Sequence, residues 1–114
     1  MKKILLINSD PDTMELLKEL LELKGYEIKV TSDKEAVPSL ITAFSPDLLL
    51  LDITQTKIMK DIHRDAVQFD IPVLLMTGHN TYPLPPHNSF KNYIQKPFTM
   101  DQLLKKIRDI FQNA

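Results

Sequence analysis

The feature that most restricts the possible folds of this chain is the unbroken apolar run LLLL at 48–51, which ends in Asp52. A run without polar alternation predicts a strand buried on both faces, as in a parallel sheet covered by helices. A second such run, ILLI at 4–7, ends at Asn8. In an open α/β sheet, ligands and chemistry collect at the carboxyl ends of the strands. Asp52 therefore stands where a functional site is expected.

Strand and helix patterns alternate along the rest of the chain. Apolar residues at helical spacing predict helices over 11–24 and 57–68, the latter from Ile58, Ile62, Ala66 and Phe69 on one helical face, and a last helix after Thr99. Pro38 predicts that the helix after the second strand is kinked or starts late. The pairs Ser32/Glu35 and Thr99/Gln102 predict capping boxes. Further strands are predicted at 26–30, 73–76 and 93–95.

This alternation predicts an α/β fold of the flavodoxin-like type. We expect a five-stranded parallel sheet in the order 2-1-3-4-5 with helices on both faces. The segment TYPLPPHNS at 81–89 contains three prolines and no periodicity, so the helix expected between strands 4 and 5 is predicted to be absent or degenerate.

Length and composition restrict the class of protein further. The 114 residues suit a single domain over 1–114, and the formal net charge of -1 gives no field that favours nucleic acid or an anionic membrane. The absence of cysteine excludes disulfides and thiol catalysis, and no apolar segment is long enough for a signal peptide or membrane span. We expect a cytoplasmic protein with neither membrane nor direct nucleic-acid contacts.

The predicted strand order brings the loops after strands 1, 3, 4 and 5 together at one edge of the sheet, namely Asn8 to Asp12, Asp52 to Thr56, Thr77 to Asn80, and Lys96. A carboxylate can act as a nucleophile toward a phosphoryl group, and the transition state then needs cations and hydrogen-bond donors. Lys96 can supply the charge and Thr77 a hydroxyl, while a hard divalent cation held by oxygens would complete such a site. Alternatively, Asp52 is a loop or capping carboxylate that Lys96 pairs with to fix the loops.

The motifs PDLLLLDI, PVLLMTG and YIQKPFT, in this order, resemble the receiver domain of two-component response regulators, the CheY-like family, over the whole chain. The resemblance implies a signalling switch rather than a turnover enzyme. It implies that Asp52 accepts phosphate from a sensor histidine kinase or phosphotransfer protein and that a downstream effector protein or domain reads the result. Thr77 would move toward the phosphoryl group, Tyr93 would change rotamer, and Lys96 would pair with the charge. The Lys96–Pro97 bond would be cis.

The sequence departs from the family pattern at the expected metal site. Receivers usually have an acidic pair after the first strand, where this chain has Asn8 and Ser9, with Asp10 next. A bound Mg²⁺ would use Asp10, Asp52, the Asn8 amide oxygen and the Thr54 carbonyl, and would be held weakly, since Mg²⁺ favours carboxylates. Two hypotheses follow: a phosphorylated receiver with weak metal binding, or a pseudo-receiver that binds a partner without phosphorylation.

Other functional classes lack their sequence signatures. A dinucleotide-binding fold needs a glycine-rich loop after strand 1, and neither Gly25 nor Gly78 lies there. No nucleophile elbow of a serine hydrolase is present. The three histidines, at positions 63, 79 and 87, do not have metal-ligand spacing.

Overall fold

A computed structural model of the chain describes residues 1–8, 11–52, 56–77 and 92–112, with backbone only at 11, 13, 56–59 and 77. Five strands and four α-helices are described in these ranges, with strand and helix alternating as far as the fourth strand, and a short 3₁₀ turn, Lys34–Ala36, precedes the second helix. The strands are β1 Lys3–Asn8, β2 Glu27–Thr31, β3 Leu48–Asp52, β4 Val73–Thr77 and β5 Asn92–Gln95. The helices are α1 Pro11–Leu23, α2 Val37–Phe44, α3 Thr56–Gln68 and α4 Met100–Gln112.

All five strands form one parallel sheet in the order β2-β1-β3-β4-β5. The predicted flavodoxin-like topology is therefore confirmed. Strand β3 lies in the centre and is buried along its whole length, because its leucines point alternately into two apolar layers. A connection between parallel strands must return the chain to the end of the sheet where the previous strand began, and α1, α2 and α3 do this for the connections from β1 to β4.

Helices cover both faces of the sheet, as predicted. On one face, α1 and α4 pack through Leu21 and Ile107 against alternate strand residues that include Leu50. On the other face, α2 and α3 pack through Ile41 and Ile62 against the intervening residues. Burying a leucine or isoleucine side chain contributes about 1.5–3 kcal/mol, so these two layers supply most of the stability that holds the strand ends in place.

The second helix starts late, as Pro38 predicts. α2 begins at Val37, with Pro38 in the first turn, where its missing N–H breaks no hydrogen bond. The predicted Ser32/Glu35 capping box is wrong. Asp33 is the N-cap residue of the preceding 3₁₀ turn, and its Oδ1 accepts a hydrogen bond from the Glu35 backbone N–H at 2.9 Å. Asp33 lies one residue closer than Ser32 to that N–H and reaches it within an Asx turn.

The ends of the other helices follow local rules more closely. The Thr99/Gln102 capping box is confirmed by reciprocal hydrogen bonds of 3.1 and 2.9 Å. The prediction that Phe69 shares one helical face with Ile62 and Ala66 is wrong, since those two residues are buried and Phe69 is 42% exposed. α3 ends at Gln68 and Asp70 adopts a left-handed backbone with φ of 57°, so Phe69 leaves the apolar stripe of the helix. None of the helices described is long and apolar enough to cross a membrane. The predicted lack of a helix over 81–89 lies outside the described residues.

Candidate functional site

The parallel register of the two central strands places Asn8 directly beside Asp52. The alternation of side chains turns both residues toward the layer that contains α1 and α4, since Leu6 and Leu50, two residues earlier in each strand, belong to it. Asn8 is 2% exposed and Asp52 is 9% exposed. Two buried polar side chains at the ends of otherwise apolar strands need hydrogen-bonding partners, because burial without a partner is costly.

Lys96 supplies the charge that balances Asp52. It follows β5 directly, and the Lys96–Pro97 peptide bond is cis, as the resemblance implied. The Lys96 Nζ lies 2.6 Å from the Asp52 Oδ2, within the range of a short, charge-assisted hydrogen bond. The Lys96 side chain is 38% exposed and the Asp52 side chain only 10%, so a partly solvated cation pairs with a nearly buried anion.

The side-chain amide of Asn8 donates to the same carboxylate oxygen. The distance from Asn8 Nδ2 to Asp52 Oδ2 is 3.1 Å, and the contact is buried. An ionised carboxylate only accepts hydrogen bonds, so the amide nitrogen and not the amide oxygen must face it. Oδ2 of Asp52 therefore receives one N–H from a neutral amide and one from an ammonium group.

Thr77 and Tyr93 lie on the two strands beside this cluster. The backbone of Thr77 ends β4, pairs in register with Gln95, and stands two residues beyond Leu75, which pairs with Leu51 of β3. The Thr77 backbone therefore reaches the same edge of the sheet as Asp52. Tyr93 is 47% exposed on β5, so its ring has room to change rotamer. The predicted residues Asp10 and Thr54, and the side chain of Thr77, lie outside the described part of the structure.

The described side chains fit a magnesium ion poorly. They contain one carboxylate, Asp52, and one amide, Asn8, whose N–H is turned toward that carboxylate. Within the ranges that the structure describes, no group of three His, Cys, Asp or Glu residues could hold a metal ion. In the same ranges, no buried side-chain nitrogen or oxygen lacks a hydrogen-bond partner. The buried polar atoms of Asn8 and Asp52 are therefore hydrogen-bonded, in part to each other and, for Asp52, to Lys96.

The hydrogen bond from Asn8 to Asp52 was not predicted. From the sequence, Asn8 was expected to act through its amide oxygen, as a metal ligand. The strand register could have suggested the contact, because two adjacent parallel strands of similar length that both end in a polar residue bring these residues side by side. The chemical identity of the pair, amide and carboxylate, then makes a hydrogen bond the expected interaction.

Comparisons with known proteins agree with this architecture. The family model described as "Response regulator receiver domain" matches residues 4–108. The chain is 29% identical to the DNA-binding dual master transcriptional regulator RpaA of Synechocystis sp., over 100% of this chain and 51% of that protein. It is 31% identical to the transcriptional regulatory protein CpxR of Escherichia coli (strain K12), again over 100% of this chain and 51% of the relative. The chain thus spans about half the length of these curated relatives.

Solved structures show the same fold. The N-terminal domain of the nisin resistance regulator NsrR, a lantibiotic response regulator, superposes with a TM-score of 0.82 at 27% identity, covering 96% of this chain and 97% of that one. A response regulator receiver domain protein from Clostridium thermocellum gives a TM-score of 0.80 at 24% identity, covering 99% and 96%. The second likeness concerns the fold alone.

Proposed function

We propose, for a chain that belongs to the receiver-domain family of two-component response regulators, that Asp52 is the phosphoacceptor of its switch. Receiver domains are signalling modules, and the family membership is carried by the match over residues 4–108. The observation that supports Asp52 in particular is its contact with Lys96 at the carboxyl edge of the sheet, with 2.6 Å between Nζ and Oδ2. A lysine held against one nearly buried carboxylate is positioned to stabilise added negative charge there.

The proposed chemistry is a phosphoryl transfer to a carboxylate oxygen. An oxygen of Asp52 forms a bond to phosphorus while the bond from phosphorus to its leaving group breaks. The leaving group is the histidine side chain when the donor is a histidine phosphate, and acetate when the donor is acetyl phosphate. Negative charge spreads over the equatorial phosphoryl oxygens during the transfer. The ammonium group of Lys96 remains within reach of those oxygens and offsets their charge.

Thr77 and Tyr93 are proposed to relay the change. The hydroxyl of Thr77 would donate to a phosphoryl oxygen, which its position at the end of β4 supports. Movement there would free space next to β5, and Tyr93, already 47% exposed, would turn inward. An exposed aromatic ring that becomes buried alters the surface that an effector can bind, which is how a local charge change acquires a distant effect.

Magnesium binding is proposed to be weak. Receivers commonly carry Mg²⁺ at this site, where it offsets the charge of the phosphoryl group. Here the ligands would be Asp10, Asp52, the Thr54 carbonyl and, after rotation of its amide, Asn8. With one carboxylate among the described groups and a neutral amide beside it, the site has less negative charge than an acidic pair would provide.

The proposed partners are those of a response regulator. A sensor histidine kinase or a phosphotransfer protein would supply the phosphoryl group, and an effector protein or domain would read the phosphorylated state, both in the cytoplasm. The relative RpaA is a DNA-binding regulator, and the relatives are about twice as long as this chain. We propose that this domain, whose formal net charge is -1, makes no direct contact with DNA. Turnover catalysis is not part of the proposed role.

The proposal is tested by incubating the chain with acetyl phosphate and Mg²⁺ and measuring intact mass. Wild type should gain the mass of one phosphoryl group, and Asp52→Asn should gain none, because an amide is not a nucleophile of this kind. Asp70→Asn is a matched control, since Asp70 is exposed and asparagine tolerates its left-handed backbone. Equal modification of all three proteins would show that Asp52 is not the acceptor.

The alternative is a pseudo-receiver that binds its partner without phosphorylation. The Lys96–Asp52 pair would then only fix the two loops to each other. This reading follows if wild type gains no mass with acetyl phosphate or a kinase, and if Asp52→Asn leaves partner binding unchanged. The comparisons do not favour it over the phosphoacceptor.

A further inference from the structure

The hydrogen bond between Asn8 and Asp52 occupies a place where receivers usually have an acidic residue. Asn8 Nδ2 lies 3.1 Å from Asp52 Oδ2, and both residues are buried. A carboxylate in the place of the amide would bring two oxygens together at this distance without a proton between them. Two like charges in a poorly solvated site repel strongly, and one of them must be protonated, moved or paired with a cation.

The replacement of a carboxylate by an amide turns an electrostatic repulsion of the Asp52 carboxylate into an attraction. The partial positive charge of the Asn8 N–H attracts Oδ2, and Lys96 binds the same oxygen from the solvent side at 2.6 Å. The buried polar atoms of the described site are all hydrogen-bonded. A fully satisfied polar cluster holds its members in one arrangement, whereas an unsatisfied one is costly. The contacts of Asn8 and Lys96 with Oδ2 therefore help to hold Asp52 in one position.

We propose that Asn8 is a positioning residue that replaces a divalent cation in holding Asp52. It fixes the carboxylate through Oδ2, together with Lys96, and removes the repulsion that an acidic residue at position 8 would add in the absence of metal. Two consequences follow. Magnesium stabilises this chain little, and phosphoryl transfer to Asp52 depends less on magnesium than it would with an acidic residue at position 8. The second consequence rests on the proposed phosphoacceptor function, and the first does not.

The test compares thermal unfolding with Mg²⁺ and with EDTA for wild type, Asn8→Asp and Asn92→Asp. Asn92 is the first residue of β5, two strands away from β3 and two residues before the level of Asp52 in the strand register, so its substitution adds the same charge without touching Asp52 and serves as the matched control. In EDTA, Asn8→Asp should unfold at a lower temperature than both other proteins. Magnesium should raise the unfolding temperature of Asn8→Asp by about 4–8 °C, and by several times less in wild type and Asn92→Asp.

A second variant guards against a failure of Asn8→Asp to fold. Asn8→Ala removes the amide without adding charge, so in EDTA it should unfold about 4–8 °C below wild type, because Oδ2 loses one hydrogen bond in a buried site. Magnesium should not restore it to the wild-type temperature. Unchanged unfolding of Asn8→Ala, or a wild type that magnesium stabilises as much as Asn8→Asp, would overturn the role of Asn8.

A reaction with acetyl phosphate separates this inference from the proposed function. For each protein, the rate of phosphorylation with Mg²⁺ is divided by the rate with EDTA. This ratio should be at least about tenfold higher in Asn8→Asp than in wild type, and should be the same in Asn92→Asp as in wild type. If no protein is phosphorylated while the unfolding data agree, the phosphoacceptor proposal fails and the role of Asn8 in holding Asp52 stands. If phosphorylation occurs with the same ratio in all three proteins, the inference about metal dependence fails and the phosphoacceptor proposal stands.

Discussion

Replacement of Lys96 by methionine should destabilise the fold although the lysine is partly exposed. Methionine keeps the length of the side chain and removes the ammonium group, so Asp52 keeps its burial and loses its only described cationic partner. The remaining described donor to its Oδ2 is the neutral amide of Asn8. A nearly buried carboxylate that has lost its cation must accept water or shift its position, and both disturb the strand ends.

The magnitude follows from the geometry of the pair. At 2.6 Å, Coulomb's law gives about 1.6 kcal/mol in bulk water and about 6 kcal/mol at an effective dielectric constant of about 20. Solvent reaches the Lys96 side chain, which is 38% exposed, and desolvation of Asp52 offsets part of the attraction. We therefore expect Lys96→Met to lower the free energy of unfolding by about 1–3 kcal/mol.

Urea unfolding followed by circular dichroism measures this difference, with Lys105→Met as the matched control. Lys105 also pairs with an aspartate, at 3.1 Å to Asp109, but on the exposed surface of α4, with side chains 72% and 48% exposed. Such a pair should contribute less than about 0.5 kcal/mol. In a double-mutant cycle, Asp52→Asn should remove most of the cost of Lys96→Met, because the two side chains are in contact. Equal effects of Lys96→Met and Lys105→Met would refute the reasoning.

Two further predictions concern a helix end and the proposed switch. Thr99→Ala removes the hydroxyl that accepts from the Gln102 N–H at 3.1 Å and should lower the free energy of unfolding by about 1 kcal/mol in the same urea assay. Thr42→Ala is the control, because the Thr42 hydroxyl caps no helix, and it should lower the free energy of unfolding by less. A larger effect of Thr42→Ala than of Thr99→Ala would contradict the capping role of Thr99. Thr77→Ala should leave phosphorylation of Asp52 measurable but suppress the change in the Tyr93 ring resonances on phosphorylation, whereas Thr77→Ser should retain it. A full Tyr93 response in Thr77→Ala would exclude the proposed relay.

The sheet could be predicted from the sequence because its central strands are buried on both faces. The leucine run that ends at Asp52, set among alternating strand and helix patterns, favours a parallel strand between two helical layers, and β3 is buried along its whole length. The late start of α2 followed from the fixed backbone of Pro38, and the cap of α4 from Thr99 and Gln102. These features depend on interactions within a few residues of the chain or on the apolar pattern, which the sequence contains directly.

Features that depend on tertiary geometry were less accessible. Phe69 has the spacing of the buried stripe of α3, but the helix ends one residue before it, and the spacing does not encode that end. Asp33 caps its turn in preference to Ser32, since their relative reach to the Glu35 N–H depends on the backbone path. The contact between Asn8 and Asp52 required the register of β1 against β3, which joins residues far apart in sequence. Lys96 was expected beside Asp52, and the structure adds the oxygen that it shares with Asn8.

The most direct test of the phosphoacceptor site is the formation of a beryllofluoride adduct, followed by ¹H–¹⁵N NMR. Beryllofluoride with Mg²⁺ mimics a phosphoryl group on an aspartate and needs no phosphodonor. Addition to wild type should shift the amide signals at the carboxyl edge of the sheet, near Asn8, Asp52 and Lys96, and should leave the opposite edge unchanged. Asp52→Asn should show no such shifts. An unperturbed wild-type spectrum, or the same shifts in Asp52→Asn, would contradict the assignment of Asp52 as the acceptor.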